Sequence, residues 1–165
     1  KNGKKIINKN NKALKYAIIK SCKIKARIIS LDEKEKNIRM ILNFGHTFGH
    51  AFEATKNFSN KLIHGEAVLL GMIIASEFSM IKGILSSKDY FSIKKHYTNL
   101  NLPMKIKSYF SRKHIRKIIY FMSKDKKNFN KKINLILLKK IGKVVLSKKI
   151  LVNKSEIQKF LVGKF

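Results

Sequence analysis

From Ala13 to about Leu31, apolar residues recur at helical spacing, with Leu14, Ala17, Ile18, Cys22, Ala26 and Ile29 on the repeat. That period predicts a first long helix. The polar run Asp32-Glu33-Lys34-Glu35-Lys36-Asn37 ends it, and a second helical segment is predicted from Ile38 to about Thr55. Asn57 to Ile63 reads as a loop. Gly65 to about Gly83 is apolar nearly all round, as a helix at the centre of a core would be. Ser86-Ser87-Lys88-Asp89 looks like the next helix start, because a serine cap followed by an acid suits the exposed amides there. Asn101-Leu102-Pro103 marks a turn, and helical spacing resumes from Arg112 to Ser123. The pattern then changes. Ile133 to Leu138 and Lys143 to Ser147, with Gly142 between them, predict a small β-hairpin, and Ser155 to Val162 a short closing helix. Residues 1 to 12 are lysine-rich and read as the frayed stump of a preceding region. The expected fold is mainly α: one multi-helical domain over residues 13–165 with a late hairpin.

Composition narrows the picture. One proline and eight glycines in 165 residues leave little room for a turn-rich all-β design. The 38 Lys and Arg stand against 9 Asp and Glu, a formal net charge of +29. A basic helical protein that binds nucleic acid through its phosphates is one reading. The other is compositional bias, since Lys, Asn, Ile and Phe rise together and all have AT-rich codons. The lysines are scattered singly and in pairs along the whole chain, which favours a solvated, biased surface over a nucleic-acid face. In either case the field draws anionic substrates. A single cysteine, Cys22, cannot form an internal disulfide, which points to a reducing, cytoplasmic setting. The longest apolar stretch, Ala67 to Ala75, is interrupted by Gly71 and is too short to span a bilayer, so no membrane is expected. The first residue is Lys1 rather than Met, as in a fragment of a longer chain.

The chemistry concentrates in Arg39-Met-Ile-Leu-Asn-Phe-Gly-His-Thr-Phe-Gly-His-Ala-Phe-Glu53. On a continuous helix at about 100° per residue, Arg39, Asn43, His46, His50 and Glu53 share one stripe about 80° wide. The rest of the surface is apolar. Two histidines at i and i+4 can converge on one divalent ion, and Glu53 can accept the free ring N–H of a histidine and fix its tautomer. Gly45 and Gly49 remove side chains beside the stripe, so that a ligand or a second backbone can come close. Arg39 offers a fork for a phosphate or carboxylate. The competing reading makes His46 and His50 hydrogen-bonded core histidines and the glycines mere packing devices. Thr47 follows His46 where a zinc protease would carry glutamate, so a metalloprotease is a poor fit. His64-Gly65-Glu66 opens the next apolar helix, and a histidine at that junction can point back as another ligand. His96 and His114 have no partner pattern and read as surface residues.

Leu42-Asn-Phe-Gly-His-Thr-Phe-Gly-His-Ala-Phe-Glu53 resembles the signature helix of 3-dehydroquinate synthases. His64-Gly-Glu-Ala-Val68 with Gly71-Met72, and Ser21-Cys-Lys-Ile-Lys-Ala26 with Asp32-Glu-Lys-Glu35 and Arg39, resemble the segments on either side of it. Asp125-Lys-Lys127 and the strand from Ile133 also fit. The resemblance runs from about residue 13 to the end. It implies the C-terminal domain of an NAD- and metal-dependent lyase of the shikimate pathway, homodimeric when whole. By position it makes His46 and His64 ligands of a divalent metal, zinc or cobalt, and His50 the histidine that assists proton transfer. Lys25, Arg39 and Asn43 become catalytic and substrate-holding residues, Lys126 or Lys127 a further cation, and Glu35 part of the supporting shell. Glu53 joins that shell on the helical-wheel argument alone. The implied reaction turns 3-deoxy-D-arabino-heptulosonate 7-phosphate into 3-dehydroquinate and phosphate through transient oxidation by NAD, elimination, return of the hydride and an aldol closure. The family's third metal ligand, a glutamate, and its nucleotide-binding domain are expected upstream of Lys1, so these residues alone are expected to be inactive. Asn37 stands where the family usually has glycine; asparagine tolerates a left-handed backbone better than most residues. Other sugar-phosphate cyclases and metal-dependent polyol dehydrogenases share parts of the pattern, though the dehydrogenases need no anion grip such as Lys25 and Arg39.

Overall fold

The computed structural model describes residues 2–35, 37–124, 132–145 and 150–165. A short exposed helix, α1 (Gly3–Ile7), leads into α2 (Asn11–Leu31). The Asn10 side chain caps α2 by accepting the Ala13 N–H at 3.1 Å. Of the 21 residues of α2 only Ala13 is buried.

The second predicted helix is broken in two. Residues Ile38–Asn43 form a tight 3-10 turn, and α3 (His46–Thr55) starts afresh after it. Asp32 initiates the turn, its carboxylate accepting the N–H of Asn37 at 2.7 Å and of Arg39 at 3.0 Å. The break falls at Phe44, whose ψ is 124°, and at Gly45, left-handed at φ 81°. An α-helix cannot run through either conformation. Asn37 is not left-handed, with φ −140°; the residue that adopts that backbone here is Glu35, at φ 51°.

The loop at 57–63 leads into α4 (His64–Ile81), the core helix anticipated from its apolar run. The carboxylate of Glu66 reaches back to the Ile63 N–H at 3.3 Å. The 18 residues of α4 are long and apolar enough on average to cross a membrane, which corrects the length inferred from Ala67 to Ala75. Half of them are buried within the fold. Helix α5 (Ser87–Asn99) starts at the anticipated cap, Ser86 accepting the Asp89 N–H at 3.1 Å. Helix α6 (Ile115–Ser123) buries Ile115, Ile118, Ile119 and Met122. With Phe48, Phe52, Leu70 and Phe78 these residues form the core, and α3 packs against both α4 and α6.

The β region is small and contains the anticipated hairpin at Gly142, together with a second ladder. Strand β1 (Ile133–Asn134) pairs antiparallel with β4 (Leu151–Val152). The hairpin is β2 (Leu138–Lys140) with β3 (Lys143–Val144), turning at Gly142, φ 79°. The apolar run from Ile133 to Leu138 therefore serves two ladders rather than one strand. Ser79 on α4 ties the hairpin down: its hydroxyl accepts the Leu138 N–H at 3.1 Å and donates to the Ala75 carbonyl at 2.6 Å. Helix α7 (Lys154–Val162) closes the fold, with ion pairs Lys82–Glu156 and Lys164–Glu77 joining it and the C-terminus to α4.

Candidate metal centre

Three imidazoles meet where the N-terminus of α4 passes the exposed side of α3. Ring centroids lie 5.3 Å apart for His46–His50, 5.9 Å for His46–His64 and 6.0 Å for His50–His64. Two imidazoles on one tetrahedral ion, with N–metal bonds near 2.1 Å, would have centroids about 5.3 Å apart. All three pairs are close to that spacing.

The hydrogen bonds set the ring faces. Nδ1 of His64 lies 3.0 Å from Oε2 of Glu53, and Nδ1 of His46 lies 3.3 Å from the Phe44 carbonyl. A carbonyl oxygen or an ionised carboxylate only accepts, so in both rings the proton belongs on Nδ1, and Nε2 is the nitrogen that could ligate a cation. Glu53 is thus hydrogen-bonded to His64 on α4, not to a histidine of its own helix. A second arrangement uses Glu53 directly: His50, Glu53 and His64 each offer a ligand atom within 4.8 Å of the others. A tetrahedral site needs donors about 3.3 to 3.4 Å apart, so side chains would have to close in on the ion. Either donor set, three imidazoles or two imidazoles with a carboxylate, suits zinc.

The cluster is open to solvent, with the His64 side chain 60% exposed, while that of Glu53 is only 12% exposed. It also lies against a tight crossing of backbones. Gly45 and Gly49 on one side and Gly71 on the other let α3 and α4 touch, and a Cβ on Gly71 would lie 2.2 Å from the Gly45 oxygen. The second backbone anticipated beside Gly45 and Gly49 is that of α4.

Arg39 and Asn43 do not lie on a helical stripe with the histidines, because the chain turns at Gly45. The Arg39 guanidinium donates to the Glu33 carbonyl at 2.6 Å, and the Asn43 amide donates to Oε1 of Glu35 at 2.6 Å. These residues form a second polar group upstream of the imidazoles. Lys25 is exposed on α2. Lys126 and Lys127 lie outside the described residues. His96 is exposed on α5, as expected, and His114 caps its own turn, its Nδ1 taking the Ser111 N–H at 3.1 Å. An apolar hollow of ≈ 460 Å³ beside Phe44 and Met72 reaches His46 but not His50, Glu53 or His64.

A family model, 3-dehydroquinate synthase C-terminal, matches residues 1–128. The chain belongs to the 3-dehydroquinate synthase family. A 3-dehydroquinate synthase of Pelagibacter ubique is 52% identical over 161 residues, covering 98% of this chain and 43% of that relative. One from Rhodopseudomonas palustris (strain TIE-1) is 37% identical over 143 residues, covering 84% of the chain and 38% of the relative. The chain thus spans about two fifths of the length of these family members. Among solved structures, a 2-epi-5-epi-valiolone synthase from Streptomyces hygroscopicus with NAD+ and Zn2+ bound matches at TM-score 0.73, 19% identity, over 93% of this chain and 41% of that one. A 2-deoxy-scyllo-inosose synthase, complexed with carbaglucose-6-phosphate, NAD+ and Co2+, matches at TM-score 0.65, 23% identity, over 79% of this chain and 36% of that one. These two likenesses show a shared fold for the parts of the chain they cover.

Proposed function

We propose that this chain supplies the metal- and substrate-binding part of a 3-dehydroquinate synthase, a lyase that converts 3-deoxy-D-arabino-heptulosonate 7-phosphate into 3-dehydroquinate and phosphate. The observation that carries the reading is the imidazole cluster. Three rings with centroids no more than 6.0 Å apart, two of them with Nδ1 committed to an acceptor, form a donor set with little use except a cation. Membership of the family supplies the reaction.

In this reading His46 and His64 hold a divalent zinc or cobalt through Nε2, and Glu53 keeps the His64 ring turned toward it. The metal, when bound, supplies Lewis-acid polarisation of a substrate oxygen. His50 sits on the same face with no tether of that kind among the described residues, and serves to hold or move a proton at a substrate oxygen. Lys25, Arg39 and Asn43 bind and orient the carboxylate, hydroxyls and phosphate, and Glu35 sets the Asn43 amide. Lys126 and Lys127 are proposed as further cations. NAD belongs to the whole enzyme. The three glycines around α3 and α4 are engaged in helix contact and do not fit a dinucleotide phosphate. A homodimeric parent enzyme in the cytoplasm completes the proposal.

Calorimetric titration with Co2+ tests the centre. The full-length enzyme, which brings the ligand expected upstream of Lys1, should bind one ion, and His46→Ala and His64→Ala should each weaken binding by at least tenfold, on the scale of losing a metal contact. Equal binding by the wild type and both variants would overturn the assignment. Phosphate release from the heptulosonate phosphate by the full-length enzyme, against other sugar phosphates, separates this reading from that of a sibling cyclase. Salt-sensitive binding to random duplex DNA, unchanged by the two substitutions, would favour the nucleic-acid reading instead.

A further inference from the structure

Of the glycines where α3 meets α4, Gly71 leaves the least room for a side chain. A Cβ built on Gly71 would meet the Gly45 carbonyl oxygen at 2.2 Å and the Gly49 amide nitrogen at 2.9 Å. Those two atoms are partners in one hydrogen bond, Gly49 N–H to Gly45 O at 2.9 Å, which closes the first turn of α3. His46 follows the acceptor residue and His50 follows the donor residue. Gly71 itself stands two turns along α4 from His64, about 10 Å along the axis. A methyl group there would strike backbone, which cannot swing aside as a side-chain end can.

We infer that Gly71 is a positioning residue for the metal centre: by letting the first turn of α3 rest on the α4 backbone, it sets the distance between the His46–His50 pair and His64. This deepens the functional reading above and rests on it. Metal geometry tolerates errors of only about 0.2 Å in ligand distance, whereas relief of the Gly71 contact would require a shift of several times that. A neighbouring glycine gives a graded version of the same effect. A Cβ on Gly49 would meet Val68 Cα at 3.1 Å and the Ala67 oxygen at 3.2 Å, tight but short of a collision.

The test is Co2+ binding, read by calorimetry and by the visible absorption of the bound ion, for Gly71→Ala beside a control of comparable thermal stability. Leu161→Ala is that control, since Leu161 is fully buried on α7 and the ion pairs that hold this end of the chain meet α4 at Glu77 and Lys82. Gly71→Ala should bind Co2+ at least tenfold more weakly with an altered spectrum, and Leu161→Ala should bind as the wild type does. Should Gly71→Ala not fold, Gly49→Ala should show a smaller loss of affinity with the same direction of spectral change. Undiminished affinity and an unaltered spectrum in either folded glycine variant would overturn the inference, as would a Leu161→Ala variant whose affinity falls as far. With each variant made in the full-length enzyme, a wild type that binds no Co2+ would overturn the functional reading, and this inference with it; wild-type binding with an indifferent glycine variant overturns the positioning role alone.

Discussion

Glu53 shows how one carboxylate can serve a site from a different element. It lies on α3, yet its bond goes to the ring of His64 on α4. Glu53→Gln keeps an acceptor but removes the charge that favours Nδ1–H, so Co2+ affinity should fall about 10- to 100-fold, the usual cost of losing such a partner; calorimetry would read it. Two buried tyrosines give a separate, pH-linked prediction. Tyr97 is pushed up to about 12 by burial, its hydroxyl donating to the Leu69 carbonyl at 3.0 Å. Tyr90 is also raised to about 12, first by burial and then by the charge of Glu77 and its hydrogen bond to it. In the unfolded chain both ionise near the ordinary 10.0. Above that pH the unfolded state binds fewer protons than the folded one, so stability falls as pH rises. The contribution is complete below pH 10 and is lost as pH climbs toward 12. Denaturant unfolding on either side of pH 10 should show the decline, and Tyr97→Phe should make it shallower.

The break at Gly45 organises the elements around the site. Without it, the 3-10 turn and α3 would be one helix, and the polar group of Arg39, Asn43 and Glu35 could not stand apart from the imidazoles. The glycine is required twice over. Its φ is 81°, and a Cβ would meet the Met72 nitrogen at 2.7 Å and Met72 Cα at 2.9 Å. The left-handed backbone alone costs a non-glycine residue about 1 kcal/mol, and the backbone contact adds to that. Gly45→Ala should therefore lower the unfolding free energy by more than about 1 kcal/mol, measurable by urea titration; an unchanged midpoint would contradict this account. The length of α2, in contrast, needs no such device: its cap at Asn10 and its helical period suffice, and both are local.

At the scale of the whole molecule, charge and core pull in opposite directions. A net charge of +29 repels itself in the compact state, while α3, α4 and α6 bury a continuous aromatic and aliphatic core. Added salt screens the repulsion over distances of about 10 Å at 0.1 M. The melting temperature should rise as NaCl is added from low ionic strength, and calorimetric scans would show it. A melting temperature that falls with salt would mean that favourable ion pairs such as Lys164–Glu77 and Lys82–Glu156 outweigh the repulsion.

The sequence by itself determined the helices and the donors. Apolar period, the cap at Ser86, the central helix and the His-x-x-x-His spacing are all local patterns, set by backbone geometry and solvent exclusion within a few turns. It also brought out the family, through stretches near His46, His64 and Arg39. Only the tertiary structure decided that the segment from Ile38 to Thr55 is two elements, because the deciding contact, Gly71 against Gly45, joins residues distant in sequence. The same is true of the strand partners, since pairing Ile133 with Val152 rather than within one hairpin depends on what packs over α4. The hint was present in each case, a glycine inside an apolar helix and a hydrophobic run too long for one short strand. What it lacked was a partner, and a partner is a property of the folded chain.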